Sequence, residues 1–209
     1  MEFKKTISER RSVNFFDPAK PVSDAELRNL VEIAARAPSS FNLQPWQLIV
    51  VRSPEDKERL KAVSWNQAKI TEAPVILIVL ADRSGWESGH PTVEKVWKNM
   101  VDLGYMKPEQ RDWFNSGTQF LYGGNEMSLS FAVKNAAFFS MYLMLAAKDA
   151  GLDTHSMDGF DHEGVRKTFN IPDTYFVPLL MAVGHFNKQH KLIPSKWRKS
   201  YDEIVWKQY

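Results

Sequence analysis

The sequence contains no cysteine. Disulfides, thiolate metal sites and cysteine nucleophiles are therefore excluded, and the absence accords with a reducing cytoplasm. Charge of one sign is also missing: 27 Lys and Arg stand against 25 Asp and Glu, so the balance points to neither nucleic acid nor membrane. The first residues, Met1 to Lys5, have no apolar stretch behind them and are not expected to form a signal peptide. The most apolar run, 136–147, is bracketed by Lys134 and Lys148. It falls short of the roughly 20 residues a bilayer span needs, which predicts a buried helix. A Gly-x-Ser-x-Gly elbow, a Walker loop and Gly-x-Gly-x-x-Gly are absent, so neither an esterase nor a dinucleotide fold is supported. The five His include no His-x-x-x-His pair. His155, Asp158, Asp161 and His162 form the one cluster of metal-ligating types, but two of these fit helix capping, and no metal site is expected.

What is present belongs to a globular protein: 44% apolar and 25% charged residues, enough chain to bury a large core. With no repeat, low-complexity tract or linker, residues 1–209 read as one domain. The 13 Phe and seven Trp are first of all core-filling groups.

Phe3 and Ile7 lie one helical turn apart in a short helix that runs into Glu9-Arg10-Arg11-Ser12. Ser23-Asp24-Ala25-Glu26 is a capping box, followed by Leu27, Leu30, Val31, Ile33 and Ala34 at helical spacing up to about Arg36. Gln47 to Val51 has the pattern of a fully buried strand. Pro54 opens a helix to about Val63, Trp65 to Glu72 supplies one or two turns, and Val75 to Leu80 is the clearest strand. Residues 84–127 form an insertion with helical pieces near 92–103 and 108–115. Its aromatics suit either a lid or packing onto the body. A long helix covers 128–150 and stops at Gly151, Asp161 caps a helix over 162–169, and Phe176 to His185 reads as a third strand. The segment 187–209 is basic and aromatic, and its Trp197, Tyr201, Ile204, Val205 and Trp206 call for burial against some surface.

Two polar groupings stand out. The loop from Ala37 to Trp46 concentrates Pro38, Ser39, Ser40, Asn42, Gln44 and Pro45 between a helix and a strand. It suits a planar polar ligand or a rigid, self-bonded turn, and both readings stay open. Arg10, Arg11 and Ser12, with Lys196 and Arg198 far along the chain, would make a phosphate site if they converged, since Arg grips phosphate oxygens bidentately. Asp158-Gly159 follows the long helix, and its Gly permits close backbone approach to a ligand.

In this order, Glu9-Arg10-Arg11-Ser12, Pro38-Ser39-Ser40-x-Asn42-x-Gln44-Pro45-Trp46, Gly151-Leu152-x-Thr154 leading to Met157-Asp158-Gly159-Phe160-Asp161, and Lys196-x-Arg198 resemble the FMN-dependent nitroreductase family. The resemblance covers residues 8 to 206 outside the insertion. It implies an α+β fold with a mostly antiparallel central sheet flanked by helices, built as an intertwined homodimer with two FMN sites at the interface. It implies that Arg10, Arg11, Ser12, Lys196 and Arg198 hold the phosphate and ribityl chain, with Asn14 at the mouth of the site. Pro38, Ser39, Ser40 and Asn42 would meet the flavin from the other subunit. Asn66, Gln67 and Lys69 would reach its ribityl and pyrimidine side, and the backbone at Asp158-Gly159 would face N5.

The implied chemistry is ping-pong hydride transfer from NAD(P)H through FMN to a small acceptor such as a nitroaromatic or quinone. The flavin carries the hard step, so no protein acid or base is required, and Lys69 supports the charge of the reduced ring. Two positions depart from the pattern: Asn14 stands where a basic residue is usual, and Asp158 where Gly or Glu is common. The alternatives are a flavin-storing or flavin-sensing module without turnover, and a specialised dehydrogenase or dehalogenase.

Overall fold

The computed structural model describes residues 2–209. The chain runs α1 (Phe3–Glu9), α2 (Asp24–Ala34), β1 (Trp46–Val51), α3 (Pro54–Ala62), α4 (Lys69–Glu72), β2 (Val75–Asp82), α5 (Pro91–Asp102), α6 (Arg111–Tyr122), α7 (Asn125–Asp149), β3 (Asp153–Met157), α8 (His162–Thr168), β4 (Tyr175–Gly184) and α9 (Tyr201–Ile204). The helix signals act as their chemistry predicts. Ser23 and Glu26 close both hydrogen bonds of the capping box, Ser53 caps the helix that Pro54 opens, and Asp161 accepts from the Glu163 N–H at the start of α8. Gly151, just past α7, takes a φ of 79°, the left-handed conformation that ends a helix.

Four antiparallel strands form one sheet in the order β1-β2-β4-β3. Every residue of β2 is buried, because helices cover both faces of this central strand. Ile76, Ile78 and Leu80, with Leu180 and Ala182 of β4, join Leu60 of α3, Ile70 of α4 and Val165 of α8 in one cluster. Val75 and Leu77, with Met181 and Val183, meet Leu27 and Leu30 of α2 and Phe139 and Leu143 of α7 on the other face. Each fully buried aliphatic side chain contributes roughly 1.5–3 kcal/mol, so β2 and its neighbours carry much of the stability.

Two strand readings are corrected. β1 is an edge strand in which only Val51 is buried, not a fully buried one: its run of apolar residues lies at the margin of the sheet. The strand ending near His185 is the fourth, because Asp153–Met157 is a strand that its polar composition, Asp-Thr-His-Ser-Met, conceals. It needs no alternating pattern because β4 supplies its ladder, with His155 opposite Ala182.

By length and composition α7, with 25 residues and a window of mean hydropathy 1.4, could cross a membrane. In this fold it is a core helix packed on α1, α2, α6 and all four strands. The insertion divides its aromatics. Trp86, Phe114 and Tyr122 pack with Phe131 of α7, and Trp97 lies against that cluster, while Tyr105, Trp113 and Phe120 stay exposed. Along the final segment Trp197, Tyr201, Ile204 and Trp206 are exposed, so the burial expected of them is not met by their own chain.

Candidate functional site

α1 delivers its last residues to the outer edge of the sheet. Ser12 bridges Thr154 of β3, the Val13 N–H donates to the Thr154 carbonyl at 3.2 Å, and the His155 ring bonds back to the Val13 carbonyl at 2.9 Å. This stitching holds Arg10 and Arg11 beside β3. Ile193 to Arg198 of the final segment cross the same place and close a cleft of about 280 Å³. Arg10, Arg11, Lys196 and Arg198 line it, together with Ser12, Asn14 and His155. Residues separated by most of the chain thus converge.

The electrostatics of this cleft are one-sided. Burial lowers the Arg10 pKa from its ordinary value, and the neighbouring charges of Arg198 and Arg11 lower it further. Arg11 donates to the carbonyls of Ser8 and Arg10, and Arg198 to those of Lys196 and Trp197. Among the described residues no carboxylate lies within ion-pair distance of any of these four cations. Like charges gathered without a counter-charge are held at an energetic cost that an anion removes, and the forked guanidinium donors match phosphate oxygens.

A second grouping adjoins the first along β3. After α3 the chain turns through Trp65 and Asn66 at φ 50° and 53°, a conformation that costs a non-glycine residue about 1 kcal/mol or more. Gln67 then donates to the Gly159 carbonyl at 2.8 Å, and Lys69 donates to the Gln67 side-chain oxygen at 3.0 Å. A Cβ on Gly159 would lie 2.8 Å from the Trp65 ring, so any side chain there would have to displace that ring. Asp158 beside it is exposed. Burial lowers the Lys69 pKa, with Glu72 opposing. Burial also holds His155 below its ordinary value against its bond to Val13, and the charges of Lys69 and Lys196 add to the lowering. Both groupings therefore act on one imidazole.

The loop 38–44 lies elsewhere. Phe41, Asn42 and Gln44 all have positive φ, the Gln44 N–H donates to Ser39 Oγ, and the Ser40 N–H donates to Asn135 Oδ1 of α7 at 3.0 Å. Phe41 packs edge-on to Phe114, on the α7 side of the sheet, whereas β3 turns His155 toward the α4 side. Pro38, Ser39, Ser40 and Asn42 do not line the cationic cleft of their own chain. The self-bonded turn is real, and it is also strained.

The members of the suspected metal cluster part company. Asp161 caps α8, the His162 ring stacks on Phe176, and His155 turns to Val13. Three features carry no clear mark in the sequence: His155 outside a metal cluster, Asn135 in an apolar helix, and Trp65 in a stretch with helical pattern. A lone Asn among Phe131, Ala132, Ala136 and Phe139 was the one available signal.

A family model described as "Nitroreductase family" matches residues 7–185. The chain is 31% identical over 206 residues to the "Putative NAD(P)H nitroreductase MhqN" of Bacillus subtilis, covering 98% of each chain. Its fold is similar to the crystal structure of the "putative nitroreductase ydfN" from Bacillus subtilis, with a TM-score of 0.90, 30% identity and coverage of 100% of this chain and 98% of that one. It is also similar to a "putative nitroreductase in complex with FMN" from Exiguobacterium sibiricum, with a TM-score of 0.84, 26% identity and coverage of 99% and 98%.

Proposed function

This chain belongs to the nitroreductase family, and on that premise we propose that it is an FMN-dependent oxidoreductase using NAD(P)H as donor and a nitroaromatic, quinone or similar small molecule as acceptor. The observation that carries the cofactor assignment is the cleft of four cations without a carboxylate: its donor set fits a phosphate ester. FMN, once bound, would supply the hydride chemistry between the nicotinamide donor and the acceptor.

The protein's part is to hold and to bias. Arg10, Arg11, Lys196 and Arg198 grip the phosphate, with Ser12 and Asn14 toward the ribityl chain. Asn66 and Gln67 would meet the polar side of the ring system, where Lys69 would set a cation against negative charge developing there. Gln67 anchors the Gly159 backbone through its carbonyl, keeping it close to the ligand.

The site is completed, in this reading, by a second copy of the chain. Three observations support this. A cleft of about 280 Å³ is below the roughly 300–1,000 Å³ usual for a ligand pocket. Pro38, Ser39, Ser40 and Asn42 sit across the sheet from it. An apolar surface suited to pairing is also present: Phe3 and Ile7 of α1, Ile33, and Phe138, Met141 and Tyr142 of α7 are all exposed.

The test is the visible spectrum of the purified protein with FMN, before and after NADH or NADPH under anaerobic conditions. A yellow protein bleached by either donor, and recoloured by a quinone or nitroaromatic, is the expected result. A colourless protein that rejects FMN overturns the proposal, and FMN binding without any turnover would support a storage or sensing role instead. Arg10→Ala combined with Arg198→Ala is expected to weaken FMN binding at least tenfold, about 1.4 kcal/mol. Full retention of FMN by this variant would refute the phosphate assignment.

A further inference from the structure

His155 lines the cationic cleft, yet the chemistry above leaves it without a task. Its Nδ1 lies 2.9 Å from the Val13 carbonyl oxygen. A carbonyl only accepts, so Nδ1 carries the hydrogen and Nε2 is the nitrogen left over. Among the described residues no protein group bonds Nε2.

The charged groups around this ring come from every side. The segment after α1 brings Arg10 and Arg11, and the final segment brings Lys196 and Arg198. From α4 come Lys69 and, behind it, Glu72. On β3 itself Asp153 is engaged by Lys148 at 3.4 Å and by the Phe186 N–H, and Asp158 is exposed at the far end. β4 presents Ala182 opposite. Burial is the first opponent of a positive charge on the ring, and the cations Lys69 and Lys196 add to it. A dianion seated among them reverses that field, and a positive imidazole then becomes favourable.

We propose that His155 is a further anion-binding residue of this cleft, which stands neutral when the cleft is free and takes up one proton when a phosphate-bearing ligand docks. The proton comes from solvent and goes to Nε2, which then donates to the anion; no covalent bond forms or breaks. Among the cleft-lining residues it is the one whose charge changes near neutral pH, since Arg and Lys keep theirs. Binding of the anion is thereby linked to pH. The inference rests on the proposed function only for the identity of the ligand, as FMN; a simple dianion has the same chemistry.

The experiment compares the full chain with its His155→Gln variant, whose amide keeps a donor for Val13 but does not titrate. Sulfate serves as a probe that is a dianion throughout pH 5.5–8, FMN is followed by quenching of its fluorescence, and riboflavin is the uncharged control. Sulfate affinity of the wild-type chain is expected to fall about tenfold as pH rises across this range, the effect of one unit of pKa change, and to stay within about twofold in the variant. FMN should show the same difference between the two proteins, and riboflavin none. Calorimetry of sulfate binding in two buffers of different ionisation enthalpy reads the proton uptake in the wild-type chain alone, so the test survives a variant that folds poorly. FMN and sulfate each bound with one pH profile in both proteins, and sulfate without proton uptake, would overturn the role of His155 while leaving the cofactor assignment intact. Sulfate bound with a His155-dependent slope while FMN is rejected would uphold this inference and sink the cofactor assignment. Failure of both anions to bind refutes both.

Discussion

Gly159 and His155 sit four residues apart, and each makes a claim at the scale of a single side chain. A methyl group at 159 would press on a Trp65 ring that is 76% exposed and free to swing outward. Gly159→Ala is therefore expected to cost less than about 1 kcal/mol in a urea melt, as exposed sites usually do, while measurably raising the FMN dissociation constant by displacing Trp65 and Gln67. A large loss of stability with unchanged binding would contradict this reading. His155 bears on stability through its lowered pKa. The unfolded chain then binds more protons than the folded one below the ordinary value of 6.5, so the ligand-free protein should lose stability as pH falls through that value. Thermal melts between pH 5 and 7.5 check this, and His155→Gln should flatten the slope. Arg10, Arg11, Ser12, Lys196 and Arg198 were legible as a candidate set because their chemistry is unusual wherever they fold. His155 was not, since a histidine's role depends on what faces its two nitrogens.

Among the elements, α2 and α8 announce themselves: side-chain oxygens placed two or three residues from the amides they accept are a purely local matter. Ser23→Ala should cost about 1 kcal/mol in chemical denaturation, with ligand binding unaffected. α7 is different. Its Asn135 is fully buried, donates to the Phe131 carbonyl at 2.7 Å and accepts from the Ser40 N–H, so a single amide ties the strained 39–44 loop to the core helix. Asn135→Ala is expected to cost about 1–3 kcal/mol by stranding a buried amide. It should also speed hydrogen exchange at Ser40 by tenfold or more; an unchanged Ser40 exchange rate would mean the loop holds its shape by itself. The burial of edge strand β1 and the existence of edge strand β3 are hidden from the sequence for a common reason. Hydrophobic pattern reports burial, and at a sheet's margin burial is decided by what packs alongside, not by the strand's own residues.

For the whole molecule the decisive feature is an unfinished surface. Trp197 and Trp206 are 71% and 95% exposed, and the cationic cleft uses Lys196 and Arg198 from the same segment. Truncation after Pro194 is therefore expected to abolish FMN retention and to leave monomers or aggregates in analytical ultracentrifugation; a soluble dimer that keeps its flavin would show the final segment to be dispensable. Local chemistry in the sequence determined the helix starts and stops, the buried central strand and the candidate anion-binding residues, because caps, glycine turns and guanidinium forks act over a few bonds. Only the tertiary structure decided that Arg10 and Arg198 share a cleft, that loop 38–44 lies across the sheet from it, and that His155 stands among cations. Those facts depend on strand order and on which edge each segment meets, and no stretch of sequence contains them.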